Sequence, residues 1–579
     1  MNKIREQDYH KGFDLKIWNK LLCFTKIYKK NLIAIGIMMV ILAGIDVVFP
    51  MLTKYAIDSF IVPKKLEGLK GFILGYSLLV IFQSVVVWKF IEEAARVDMG
   101  ICYDIRKAGF KRLQELSFSY FDRTHIGWIM ARMTSDTSRL GDTIAWGLVD
   151  LIWGIAVMIA ISCVMLYMNW KLALIVLTVV PFLAIISVFF QKKILNAFRE
   201  VRKTNSRITG GFNEGIMGAK TTKTLVRESK NLEEFSHITS EMYSSSVKAA
   251  IFSSMYLPVV ITLGSIGTAL ALWRGGEGVV FGDLSYGTLV AFITFTIQFF
   301  EPVRELARIF AELQSAQASA ERIISMIETE PDIKDDSEII RIYGDVFRPR
   351  RENWGNIKGD ITFKNVSFAY KEGEKVLDSF NLNVKAGETI ALVGETGSGK
   401  STIVNLACRF YEPTEGEILI DGVNYQERSL LWLHSNLGYV LQTPHLFSGT
   451  IRENILYGRL DATDEEVIRA AKLVNAHDFI IKMKKGYDTE VGEEGGRLST
   501  GEKQLISFAR AILANPRIFI LDEATSSVDT ETEQLIQNAI RKVLKGRTSF
   551  IIAHRLSTIR MADRILVINK GKVGFVNLI

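Results

Sequence analysis

Only four cysteines, Cys23, Cys102, Cys163 and Cys408, stand in the 579 residues, and no two share a CxxC or other paired spacing. That excludes a disulfide framework and fits reduced thiols in a cytosolic or membrane setting. Histidine is nearly as scarce. The seven present form no cluster at ligand spacing, so no structural zinc is expected. The N-terminal stretch lacks an apolar run; it is polar and basic, which excludes a cleaved signal peptide. A strong excess of one charge is missing too. The net +7 makes a poor case for a nucleic-acid partner, and basic loops beside a membrane explain it better.

Apolar sequence is plentiful, at 48% of the chain, but unevenly spread. The N-terminal half holds long charge-free runs, the rest reads as a soluble protein, and the whole is too long for one core. A span takes about 20 apolar residues to cross roughly 30 Å of hydrocarbon. Six stretches qualify: Asn31 to Leu52, Phe72 to Trp88, Ile144 to Met168, Leu172 to Phe190, Met255 to Trp273 and Thr288 to Phe300. The last continues as weakly polar helix through Ala318 to Ile324. In residues 1–30, Leu15 to Tyr28 alternates Trp, Leu and Phe with Lys at helical spacing. It reads either as a helix lying on the membrane surface or as a solvated helical face.

The connections between spans two and three, and four and five, are long and helix-prone, like span helices continued into water. The first carries Arg96, Arg106, Lys107, Lys111, Arg112, Arg123, Arg132 and Arg139, and the second eleven basic residues from Lys192 to Lys248. The opposite-side loops hold only Lys64, Lys65, Lys70, Lys171 and Arg274. Positive residues stay inside, which puts the long loops and both termini in the cytoplasm. Asp46 and Asp150 lie within spans and must face protein or a watery cavity. Binding the positive end of a substrate and plain interhelical hydrogen bonding both remain open for them. Pro181, Pro258 and Pro302 are expected at kinks.

Residues 328–358 are charged and without apolar periodicity, and read as a linker. From 359 to 579 the pattern changes. Ile361 to Phe368 alternates like a strand; Thr389 to Val393 is a short buried strand running into Gly394-Glu395-Thr396-Gly397-Ser398-Gly399-Lys400-Ser401, with a helix from Thr402 to Phe410. This is the P-loop pattern in its strand–loop–helix context. Its glycines let backbone N–H groups close on phosphate oxygens at a helix N-terminus. Lys400 would neutralise β- and γ-phosphate charge, and Ser401 would ligate Mg²⁺. A strand from Ile518 to Leu521 ends in Asp522-Glu523. Asp522 would reach the hydrated Mg²⁺, and Glu523 would polarise the attacking water as general base. A further strand, Ser549 to Ala553, ends at His554, whose imidazole could touch the γ-phosphate.

With these residues in view, Leu498-Ser499-Thr500-Gly501-Glu502 resembles the LSGGQ signature of ATP-binding cassette proteins. Gln442 is similar to that family's Q-loop glutamine, which touches Mg²⁺; Tyr370 to its adenine-stacking aromatic; Ser526 to Asp529 to its D-loop; and Thr489 to Gly495 to the exporters' X-loop. Phe121-Asp122-Arg123, Gly127, Arg132 and Asp136, with Ala318 to Arg322, resemble exporter motifs flanking the spans. The resemblance implies a six-helix transmembrane domain of the ABC exporter type over residues 31–327, followed by an α/β P-loop nucleotide-binding domain. ATP and Mg²⁺ are its implied cofactors. Gly394 through Thr402, with Ser499 and Gly501, would hold nucleotide, and Glu523, His554 and Gln442 would serve hydrolysis. Two such chains would sandwich two ATP molecules in a bacterial plasma membrane.

Two departures bear on this. The signature reads LSTGE, with a β-branched Thr500 and a negative Glu502 where the phosphate should approach. Because the P-loop and Glu523 are intact, a heterodimer with unequal sites is expected, with a homodimer as the alternative. The chain also stops at Gly574-Phe575-Val576-Asn577-Leu578-Ile579, where the family continues with an acidic, His-containing turn. The function expected is ATP-driven export of amphipathic small molecules; peptide export and a membrane-anchored ATPase without transport are the alternatives.

Overall fold

The computed structural model describes residues 15–370, 373–522, 530–553 and 555–578. They fall into two compact units, one within residues 1–114 and 126–329, the other within residues 115–125 and 330–579.

In the first unit, six helices are long and apolar enough to cross a membrane: Ile17–Ile61, Leu69–Glu115, Ile126–Met168, Trp170–Met217, Glu228–Val280 and Tyr286–Val303. The last belongs to a helix running on to Glu328. Several far exceed a bilayer. The 53 residues of Glu228–Val280 extend about 80 Å at 1.5 Å per residue. The surplus lies in the polar stretches between spans two and three and between four and five, as their composition suggests. Pro258 and Pro302 sit inside continuous helices. Near Pro181 the helix breaks at Thr178, between Trp170–Leu177 and Val179–Met217, because proline lacks the N–H that would bridge back. Ile73, Leu74, Ile81 and Phe82 of the second span are exposed, as lipid-facing side chains must be. Ahead of the spans Leu15–Thr25 is helical, with Leu21 buried and Leu22 exposed.

The second unit is built on a six-stranded sheet whose order is Lys572–Leu578, Arg564–Asn569, Thr389–Val393, Thr548–Ile552, Ile518–Asp522, Leu437–Val440. All neighbours are parallel except the antiparallel pair at the Lys572–Leu578 edge. Its central strands are near-continuous runs of Ile, Leu, Val and Phe because both faces are covered. Ile390, Leu392, Ile520 and Ile552 enter one core with the smaller antiparallel sheet, whereas Phe519, Leu521 and Ile551 enter another under the helical part. That antiparallel sheet orders Lys375–Val384, Ile361–Ala369, Glu415–Ile420 and Val423–Asn424.

The stretch read as a linker is partly built. It carries a helix, Ser337–Tyr343, and a two-stranded ribbon, and from Glu330 it belongs to the cassette unit. Asp335 accepts from Arg409 Nη1 at 3.0 Å and from the Leu430 N–H at 2.9 Å. Arg409 is 2% exposed and also donates to Glu412 and to the carbonyls of Tyr425 and Arg428. Removing one partner of so buried an ion pair typically costs about 3–5 kcal/mol, so Asp335 ties this stretch firmly to the cassette. The P-loop helix also differs from its expected bounds, running Lys400–Ala407. It stops early because Arg409 takes a left-handed φ of 55°.

Candidate nucleotide site

Parallel strands deliver their C-terminal ends to one edge of a sheet, where ligands of such folds bind. The register gathers the candidates there. Ile552 lies between Leu392 on one side and Asp522 on the other, and Val440 lies beside Leu521. The P-loop, Asp522 and the segment bearing Gln442 therefore leave the sheet side by side. Asp522 is half-buried, while Gln442 and Ser401 are exposed. Glu523, His554 and the D-loop, Ser526 to Asp529, lie outside the described residues.

The P-loop is held from behind. A Cβ on Gly394 would sit 2.3 Å from the Ile568 carbonyl oxygen, and one on Gly571, at φ 75°, 1.9 Å from that of Val376. The Gly571 N–H donates to the Ser398 carbonyl at 2.9 Å. Any larger residue at either position would push the loop away from the sheet. Lys400 is buried, and its Nζ donates to the carbonyls of Gly394 at 2.7 Å and Glu395 at 2.8 Å. The ammonium is thus curled inside the loop, at the N-terminus of its helix. Ser398 Oγ is buried with no hydrogen-bond partner among the described residues, and such a group costs free energy until something satisfies it. Space remains open beside exposed Gly397, where a Cβ would meet nothing within 4 Å. A phosphate chain fits this cradle. It would give Ser398 an acceptor and Lys400 a charged partner. The oxygen donors of Ser401, Asp522 and Gln442 are of the hard kind Mg²⁺ prefers.

Tyr370 is 37% exposed and lies against the P-loop helix, its hydroxyl 3.2 Å from Thr402 Oγ1. The Tyr370 ring meets Tyr411 edge-on at 5.0 Å. The Tyr411 hydroxyl in turn donates to Asp122. Burial first, and then this carboxylate, hold the hydroxyl of Tyr411 above the ordinary tyrosine range, so it stays a donor. Asp122 lies on the short helix Phe118–Arg123, and the tilted rings of Phe118 and Phe410 meet with centroids 4.4 Å apart. Although Glu115–His125 falls between spans two and three in the sequence, it belongs to the cassette unit. No local signal marks Tyr411; its partner is 289 positions away.

The signature helix Thr500–Leu513 begins with a capping box. Glu502 accepts from the Ser499 N–H and from Ser499 Oγ, both at 2.8 Å, and Ser499 Oγ accepts from the Glu502 N–H. The spacing Ser-x-x-Glu was a readable sign of this arrangement. In the first unit, two of the flanking motifs meet. Arg322 forks onto both oxygens of buried Asp136, which also accepts from Ser319 at 2.8 Å. The intramembrane acids are partnered as well. Asp46 accepts from Trp153 Nε1 at 2.9 Å and from Gln83 at 3.4 Å, and Asp150 pairs with Arg308 at 2.7 Å.

The family description "ABC transporter transmembrane region" matches residues 32–303, and "ABC transporter" matches 377–526. The chain belongs to the ABC transporter family. It is 36% identical over 559 residues to the uncharacterized ABC transporter ATP-binding protein YknV of Bacillus subtilis, covering 96% of this chain and 90% of that one. Similarity extends to an ATP-dependent lipid A-core flippase of Syntrophus aciditrophicus, at 34% identity over 96% and 91% of the two chains. A putative multidrug export ATP-binding/permease protein of Bacillus subtilis, YgaD, is 33% identical over 96% and 95%. Six candidate spans followed by an ATP-binding cassette make this ABC transporter an exporter half-transporter, a multi-pass membrane protein whose ATPase is coupled to transport.

Proposed function

We propose that this half-transporter pairs with a second, non-identical half in the bacterial plasma membrane, both termini cytoplasmic. The pair exports amphipathic small molecules, drugs or lipids, by alternating access. The names of the flippase and multidrug relatives support that substrate range. Lys400, Ser401 and Asp522 hold Mg-ATP, with Tyr370 under the adenine. A Mg²⁺ held by these residues would supply neutralising charge to the triphosphate. Glu523 takes a proton from the attacking water, and Gln442 and His554 position the reacting groups.

The observation that carries the unequal pair is the grip of Glu502 on Ser499. A hydroxyl needed to donate to a γ-phosphate is already donating to a carboxylate. A phosphate arriving there would also meet a like charge, which costs about 4 kcal/mol at 4 Å for unit charges near a protein surface. The site this signature completes is therefore slow, while the site using this chain's P-loop and Glu523 with a partner's signature is fast. Purified alone, the chain should hydrolyse ATP slowly, and the double change Thr500→Gly, Glu502→Gln should raise that rate at least about tenfold, the equivalent of about 1.4 kcal/mol. Full transport by the unmodified chain alone would instead establish a homodimer.

A further inference from the structure

The helices Thr137–Met168, Val179–Met217 and Tyr286–Glu328 line an open cavity of about 780 Å³, a volume suited to a small ligand. Helical spacing lines its walls. Arg139, Trp146 and Asp150 come from one helix, Leu195, Phe198, Arg199 and Arg202 from the next, and Arg308 and Glu312 from the third. The charges are unevenly spent. Arg308 donates to Asp150, Glu305 and Glu312, at 2.7, 2.7 and 2.5 Å, so it is wholly engaged and its one charge is shared among three carboxylates. Arg139, Arg199 and Arg202 form no hydrogen bond or ion pair among the described residues, and the remaining acid in the lining is Asp142. A substrate cation would meet three free guanidinium groups there. An anion would meet bidentate donors.

The cavity is also graded along its length. Running from Arg139 to Asp150 in the third span, and back from Gln191 to Arg202 in the fourth, the free arginines gather at one end. Trp146, Leu195 and Phe198 stand next to them, toward the interior of the bundle. With the long loops in the cytoplasm, that end is the cytoplasmic mouth.

We infer that this cavity receives an amphiphile with an anionic head group, a phosphate or a carboxylate. Arg139, Arg199 and Arg202 hold the head, and Trp146, Leu195 and Phe198 cover the first carbons of the tail. The assignment rests on the export reading and narrows its substrate class. It also gives the Asp150–Arg308 pair a role. The pair keeps the Asp150 carboxylate engaged with Arg308 and so less available to a cation.

The test uses the complex with its partner subunit in phosphatidylcholine vesicles and reads stimulation of ATP hydrolysis by dodecyl phosphate, dodecyltrimethylammonium and tail-less ethyl phosphate. Dodecyl phosphate should stimulate at the lowest concentration. The Arg199→Gln, Arg202→Gln pair should raise its half-stimulating concentration about tenfold, and the Arg199→Lys, Arg202→Lys pair should recover most of that loss. Equal or better stimulation by the cation overturns the anionic head group but leaves export standing. Stimulation by ethyl phosphate alone overturns the amphiphile. An unchanged concentration in the Gln pair means these arginines serve orientation in the membrane only, and overturns the site. If Lys400-dependent hydrolysis continues and no amphiphile of either sign affects it, the export reading itself fails.

Discussion

Replacing Lys400 by alanine is expected to lower ATP hydrolysis by about 10²- to 10³-fold, the usual loss when one preorganised charge is removed from a phosphoryl-transfer site. Weaker nucleotide binding comes with it. The reason lies in how the lysine is stored. Its ammonium sits buried at the helix N-terminus, donating to Gly394 and Glu395 carbonyls, and a short shift would bring it onto β- and γ-phosphate oxygens. No other cation lies within the loop from Gly394 to Ser401. Alanine also leaves two loop carbonyls without their donor, at roughly 1 kcal/mol each. Thermal unfolding of the variant should therefore shift by a few degrees only. Phosphate release measured beside the unfolding curve checks both. A large drop in melting temperature with proportionate loss of folded protein would make the effect structural.

Glu523→Gln should separate binding from chemistry. The change keeps size and shape but removes the base, so turnover should fall about 10²- to 10⁴-fold while ATP binding persists. Filter retention of labelled ATP against phosphate release is the measurement. Unchanged hydrolysis would strip Glu523 of its role and hand the water to another group. Glu523 follows Asp522 in the sequence, and Asp522 ends its strand beside Ile552. The two variants are complementary. One removes the charge proposed to hold the nucleotide and the other the proposed general base.

Much of this was legible because it is local. Six apolar runs announce spans whatever surrounds them. The P-loop announces itself by a buried strand, three glycines, a lysine and a helix in fixed order. The strand that ends in Asp522 could be placed from five residues, Ile518 to Asp522, since a parallel strand buried on both faces has nowhere to put polar side chains. What stayed hidden depends on distant partners. Nothing around Asp122 says that Tyr411 will hold it, and nothing in residues 328–358 says that Asp335 will pair with Arg409. For Asp150 the sequence leaves substrate contact and interhelical bonding both open, and nothing near it points to Arg308, 158 positions away. The capping box is the intermediate case. Ser499 and Glu502 stand at capping-box spacing, within a segment that also resembles the phosphate-contacting LSGGQ signature.

The asymmetry at that signature also gives the proposed cycle a direction. A fast site built on this chain's P-loop and a slow site built on its LSTGE segment would keep one nucleotide in place while the other turns over. The cassettes would then need to part only partly between cycles, which is a two-state element biased by one nucleotide.

Whether ATP consumed at this chain's own P-loop drives movement across the bilayer is tested most directly in inside-out vesicles carrying the complex. Phosphate release and uptake of a labelled amphiphile are followed in the same sample, for the native chain and for Glu523→Gln. Both processes should run together in the first and stop together in the second. Uptake that continues after phosphate release has ceased would contradict the coupling on which everything here depends.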